Sequence, residues 1–214
     1  MLDGWVRRGI DPPLDRMGRG LAGAGISANA LTLSGLAAGL GGALMIASRL
    51  DGAALLLFLL NRLFDGLDGA VARATRRTDR GGFLDIVSDF AVYGAVPLAF
   101  ALREPSGFAV PAACLLFAFY VNGASFLAFA AVAARRGMTA SSRGVKSIHY
   151  TAGLMEGTET ILFFLAMILA PAWFPILAYA FAGLTLVSAL ARVALAWGAF
   201  GDKDGGVDPE FREL

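Results

Sequence analysis

Apolar residues run through this chain in long blocks, without the short alternation of strands or the one-sided stripe of a soluble helix. Six blocks, over residues 31–48, 53–73, 83–101, 109–134, 147–170 and 174–199, each approach or exceed the ~20 residues that cross a bilayer as helix. Short polar connections separate them. The pattern predicts an all-α integral membrane protein with six transmembrane helices and a polar cavity open to the cytoplasm. Residues 1–30 read as a cytoplasmic and interfacial segment, 31–200 as one membrane domain, and 201–214 as a polar tail. Within the first segment, Pro13–Gly25 mixes Leu14, Met17 and Leu21 with Asp15, Arg16 and Arg19. That mixture predicts a short helix lying in the interface, apolar side down.

Composition and charge sharpen the picture. The chain is 57% apolar and 16% charged, well to the apolar side of an average soluble domain. Its lone cysteine, Cys114, falls inside the fourth block and reads as a small packing residue, so no disulfide framework is expected. The arginine-bearing N-terminus lacks the compact apolar core and cleavage site of a signal peptide. With six spans, 14 of the 18 Lys and Arg residues fall on one face: around the N-terminus, in the 2–3 and 4–5 loops, and after the last span. The positive-inside rule then puts both termini in the cytoplasm, in a bacterial cytoplasmic (inner) membrane. This use of basic charge leaves no reason to expect a nucleic-acid partner.

Polar residues inside spans are costly, so their clustering is informative. The end of the second block and the start of the third read NRLFDGLDGAVARATRRTDRGGFLDIVSDF. At about 100° per residue, Asn61, Arg62, Asp65, Asp68, Gly69 and Ala72 share one helical face. Gly81, Asp85 and Asp89 share another, the two aspartates one turn apart. The short basic loop predicts that these helices are antiparallel neighbours, with all four carboxylates converging near the cytoplasmic surface. Four carboxylates so close need positive charge to stay ionised. Two Mg²⁺ or Mn²⁺ ions, hard cations that prefer oxygen ligands, would supply it. A carboxylate-bridged pair of such ions suits phosphate binding and displacement at phosphorus. No His or Cys stands near the cluster, which argues against zinc or iron. Gly66, Gly69, Gly81 and Gly82 read as places where a bulky substrate approaches the backbone.

The run Asp65-x2-Asp68-Gly69-x2-Ala72-Arg73, followed by Gly81-x3-Asp85-x3-Asp89, resembles the signature of the CDP-alcohol phosphotransferases. The residues Ala74–Arg80 form a connection one residue shorter than that family's usual pattern, with Gly81 as the motif glycine. Asn29-Ala30-Leu31-Thr32 also resembles the opening of the family's first span. The resemblance implies transfer of a phosphatidyl-type group from a CDP-alcohol lipid donor, most simply CDP-diacylglycerol, to a hydroxyl acceptor, with release of CMP. It implies that Asp65, Asp68 and Asp85 ligate the two metals, and that Asp89 is the general base and also touches a metal. Asp68, Gly69, Ala72, Arg73 and Gly81 would form the CDP pocket. The resemblance also implies a homodimer, as members of the family often form, embedded among membrane lipids.

Further polar residues in the fifth block invite readings of their own. His149, Gly153, Glu156 and Thr160 make a polar stripe there, and Arg62 lies at a similar depth, so Arg62 is expected to pair with Glu156 or Glu159. Arg143 and Lys146, in the basic loop that adjoins this block, are the candidate ligands for a phosphorylated acceptor. Gly35 and Gly39 have the spacing of a close helix contact or a dimer seam. Two rival functions remain open on the residues alone. An aspartate-rich membrane prenyltransferase also uses metal-bridged diphosphate, but on distant helices. A divalent-cation transporter would use the aspartates as its ion site, though it should carry polar groups at mid-membrane on several helices.

Overall fold

A computed structural model describes residues 3–137 and 157–201, with side chains from residue 8. Seven α-helices and one 3₁₀ turn account for nearly all of them, and no strand occurs among the described residues. Helix α1 covers Asp3–Gly23, α2 Ala28–Ala47, α3 Asp51–Ala74, α4 Asp79–Arg103 and α5 Pro105–Arg135. After the undescribed stretch come α6, Gly157–Leu169, the 3₁₀ turn Pro171–Trp173, and α7, Phe174–Ala199. Four segments are long and apolar enough to cross a membrane: α2, α4, α5 and Pro171–Ala199. Helix α3 has the length, at 24 residues, but carries the polar cluster. Helix α6 is the described part of the expected span 147–170.

The first helix corrects the sequence reading. It begins at Asp3 and runs through Pro12 and Pro13, where the expectation was a short helix from Pro13. Its apolar side does not simply face lipid. Leu14 and Leu21 pack against Leu31, Leu67 and Val71 of α2 and α3, while Met17 is 49% exposed. A Cβ on Gly18 would sit 2.6 Å from the Ala70 Cβ and 2.8 Å from the Ala70 carbonyl carbon. Backbone-level contact of this kind holds α1 on α3, and such packing outweighs the missing proline donors.

Local chemistry punctuates the helices. Gly25, at φ +81°, makes the turn out of α1 that a side chain would strain. Ser27 and Thr78 cap α2 and α4 from extended backbone, their hydroxyls accepting from Ala30 N and Gly81 N; each satisfies an orphan donor of the first turn.

The second correction concerns neighbours. Helices α3 and α4, expected to pack side by side because their loop is short, are not close-packed on one another. Helix α2 packs against both. Its glycines allow this: a Cβ on Gly35 would stand 3.2 Å from the Phe64 Cβ, and one on Gly39 would stand 2.5 Å from a Val92 methyl. Gly35 and Gly39 are therefore intrachain contact points with α3 and α4. The result is a gap between α3 and α4, floored by α2.

On the far side of the bundle, α5 packs against α4 and α7. A core of aromatics joins them, with Phe100 stacked on Phe174 at 4.3 Å and Phe163 on Phe181 at 4.5 Å. The turns 48–50 and 103–105 meet at one end of the bundle. There Arg103 forks onto both oxygens of Asp51, and Arg49 donates to the Arg103 carbonyl at 2.8 Å.

Candidate active site

At the other end of α3 and α4 the polar cluster assembles across the gap. Asp65 from α3 and Asp85 and Asp89 from α4 each offer a carboxylate oxygen, and all three lie within 4.8 Å of one another. Their side chains are half-buried. Three oxygen ligands at this spacing, with no nitrogen or sulfur among them, fit a hard divalent cation.

Asp68 stands outside this triangle. It is 6% exposed, and its Oδ2 accepts a 2.6 Å hydrogen bond from the hydroxyl of Thr32, itself 7% exposed. A short bond between two buried groups fixes the Asp68 carboxylate relative to α2. The Asn-x-x-Thr run that opens α2 thus has a physical role in the cluster: its threonine holds one of the aspartates.

Arg62 enters the triangle from the side. It sits at 3.3 Å from Asp89 Oδ1 and 3.6 Å from Asp65 Oδ2. Its Nε donates to Asn61 Oδ1 at 2.8 Å, its Nη1 lies 3.4 Å from the Tyr93 hydroxyl, and its guanidinium faces the rings of Phe58 and Tyr93. The sequence reading sent Arg62 toward Glu156 or Glu159; the structure sets it among the aspartates, and Glu156 lies outside the described residues. Depth along α3 was a poor guide to its partner because α3 and α4 stand apart. A long side chain on α3 can then cross the gap and reach α4.

The residues expected to form a nucleotide pocket lie along the same stretch. Arg73 donates twice to Asp15 Oδ1, at 2.7 and 3.0 Å, so α1 fixes the direction of this arginine. Gly69 lies beside it: a Cβ there would be 3.2 Å from Arg73 Nη1. Ala72 is half-buried, and Gly81 opens α4 beside Asn29, whose Oδ1 would be 3.2 Å from an added Cβ. Gly82 has open space around it. Gly66 does not: Leu14 of α1 stands 2.8 Å from an added Cβ, so this glycine serves helix packing. Arg143 and Lys146 lie outside the described residues.

Four residues escaped the sequence reading. Asp15 is 58 positions from Arg73, and nothing local announces the pair. Thr32 lay in a recognised run without an assigned task. Tyr93 follows Asp89 by one turn, so helical periodicity was a usable signal. Arg192, a charge inside an apolar span, was another. Its Nη1 is held by the Asn122 carbonyl at 3.1 Å, the Asn122 side chain at 2.9 Å and Ser125 Oγ at 2.8 Å. It opens on a cavity of about 510 Å³ between α5 and α7, lined also by Phe129, Val132 and Trp197.

Fold and cluster together define a helical membrane protein whose aspartates face one another across a gap near one end of the bundle. The sequence matches the CDP-alcohol phosphatidyltransferase family over residues 25–199, and the chain belongs to that family. It is a transferase of phospholipid biosynthesis and an integral membrane protein, so the transport reading is set aside. It is 46% identical over 193 residues to the inner membrane protein YnjF of Escherichia coli (strain K12), covering 90% of this chain and 94% of that one. Its fold is similar to the phosphatidylinositol phosphate synthase PgsA1 of Mycobacterium tuberculosis. Against the structure with CDP-DAG bound the TM-score is 0.69 at 21% identity, covering 86% of this chain and 93% of that one. Against the structure in complex with manganese and citrate it is 0.67 at 21% identity, covering 86% and 88%.

Proposed function

We propose that this enzyme transfers a phosphatidyl group from CDP-diacylglycerol to a hydroxyl acceptor and releases CMP, with two divalent ions, Mg²⁺ or Mn²⁺, held by Asp65, Asp68, Asp85 and Asp89. The observation that carries the reading is the meeting of Asp65, Asp85 and Asp89 oxygens within 4.8 Å across the α3–α4 gap. Bound there, the metals supply charge neutralisation for the donor's pyrophosphate. The protein's own residues do the rest. Asp89 takes the acceptor's hydroxyl proton as general base. The acceptor oxygen bonds to the β-phosphorus, the bond from that phosphorus to the bridging oxygen breaks, and the electron pair leaves with CMP. Arg73, steered by Asp15, and the small positions Gly69, Ala72 and Gly81 form the nucleotide pocket with Asp68. Positioning of this kind supplies most of what phosphoryl transfer needs from a protein.

The acceptor is a small phosphorylated alcohol. Arg192 supports this: a half-buried guanidinium already oriented by Asn122 and Ser125, at the wall of a cavity, is suited to a phosphate. Arg143 and Lys146 are further candidate ligands for that phosphate. All six apolar blocks cross the membrane, with both termini on the cytoplasmic side of a bacterial inner membrane, and two copies associate as a homodimer.

The test is Mg²⁺- or Mn²⁺-dependent CMP release from CDP-diacylglycerol by purified protein, across a panel of phosphorylated and plain alcohols, with Asp89→Asn alongside. Release with one acceptor, lost in the variant, supports the reading and names the product. Release from a soluble CDP-alcohol with diacylglycerol as acceptor would reverse the assignment of donor and acceptor. No release from folded, metal-loaded protein with either donor refutes the reading.

A further inference from the structure

The guanidinium of Arg62 is held by the scaffold as well as by the aspartates it faces, and the scaffold supplies its shortest bond. Its shortest bond, 2.8 Å, goes to Asn61 Oδ1, and Asn61 is in turn anchored through its Nδ2 to the Gly35 carbonyl of α2 at 2.9 Å. The rings of Phe58 and Tyr93 hold it at centroid distances of 5.9 and 5.6 Å. Its contacts with Asp89 and Asp65, at 3.3 and 3.6 Å, are longer than the ~2.8 Å of a tight charge-assisted bond. The side chain is 10% exposed, and an arginine keeps its charge at any working pH. A permanent positive charge therefore stands at the edge of the carboxylate triangle, its Nη2 donating to Asp89 Oδ1 at 3.3 Å and its Nη1 3.6 Å from Asp65 Oδ2.

We infer that Arg62 is a built-in counter-charge of the aspartate site, which holds Asp65 and Asp89 in ligating positions before any ion binds and weakens the site's grip on its less tightly held divalent ion. The inference rests on reading these aspartates as a metal site. Three facing carboxylates repel one another across the α3–α4 gap. Arg62 spans that gap and offsets part of the repulsion. The same charge repels an incoming divalent ion at close range, an effect well above tenfold in affinity over a few ångströms in a partly wetted site. Arg62 is thus a positioning residue. An ordinary structural ion pair would predict loss of stability on removal and no gain in metal affinity.

The experiment titrates purified, detergent-solubilised protein with Mn²⁺, reading free ion by paramagnetic resonance, and records thermal unfolding with and without the metal. Arg62→Met keeps the length and removes the charge; Arg62→Lys keeps the charge and removes the fork. The expected result is that metal-free R62M unfolds at lower temperature than wild type, binds its weaker Mn²⁺ at least about tenfold more tightly, and recovers more stability on metal addition. R62K should bind Mn²⁺ within a fewfold of wild type. Affinity in R62M equal to or weaker than wild type overturns the inference. If R62M is not recovered folded, Arg62→Gln replaces it: tighter Mn²⁺ binding supports the inference, and equal or weaker binding overturns it. Wild-type protein that binds no Mn²⁺ at all would instead sink the metal-site reading beneath it, an outcome separate from the other.

Discussion

Replacing Thr32 with valine removes one hydroxyl and keeps the shape of the side chain. The lost bond is the 2.6 Å contact from Thr32 to Asp68 Oδ2, made where both residues are more than nine-tenths buried. A hydrogen bond to a charged group contributes about 1.5–3 kcal/mol, and the upper part of that range applies when the abandoned partner cannot reach water. The variant should therefore lose about 2 kcal/mol in the metal-free state, a fall of roughly 4–8 °C in Tm for a chain of this size. Function should suffer too, because Asp68 would no longer be held toward the other aspartates: CMP release should drop by at least about tenfold. The assay is thermal unfolding and CMP release measured on Thr32→Val and Thr32→Ser side by side. Serine keeps the donor and should recover most of both. If T32V unfolds with wild type, or if T32S is as poor as T32V, then the hydroxyl is not what positions Asp68.

Other perturbations test the remaining contacts. Asp15→Asn weakens the hold on Arg73 and should raise the KM for the CDP donor severalfold with little change in kcat; an unchanged KM would separate α1 from the nucleotide pocket. Gly18→Val forces a side chain against the Ala70 backbone, 2.8 Å from an added Cβ, and should cost about 1–3 kcal/mol in Tm measurements, as overpacking does. Asp51→Asn breaks the Arg103 fork at the opposite end of the bundle. This pair is partly exposed, so stability should fall by no more than about 1 kcal/mol while kcat stays at the wild-type value. Arg192→Gln should raise the KM for a phosphorylated acceptor and leave that for the CDP donor alone, checked by steady-state kinetics on each substrate in turn.

Much of this protein was legible in its sequence because a bilayer permits so few solutions. A backbone in hydrocarbon must satisfy its own hydrogen bonds, so long apolar blocks mean helices, and the helix ends at 47, 51, 74, 103 and 135 fall within a few residues of the block boundaries. Helical periodicity put Asp65 with Asp68 and Asp85 with Asp89 on shared faces and predicted that all four converge; the fold brings Asp65, Asp85 and Asp89 together and turns Asp68 toward Thr32 of α2. Pair geometry across helices was beyond that reading. A short loop suggested that α3 and α4 touch, yet the glycines of α2 bring that helix against both and leave a gap where the carboxylates meet. Arg62 could be assigned a depth from sequence, but its direction depends on that gap. Asp15 and Thr32 are bound to residues 58 and 36 positions away, and no local pattern encodes a contact over such a separation. Spacing along the chain determines what a single helix presents, because one hydrogen-bonding rule governs every turn. Which helices meet, and which side chains then share a site, is decided by how small residues let backbones approach, and only the folded bundle shows that.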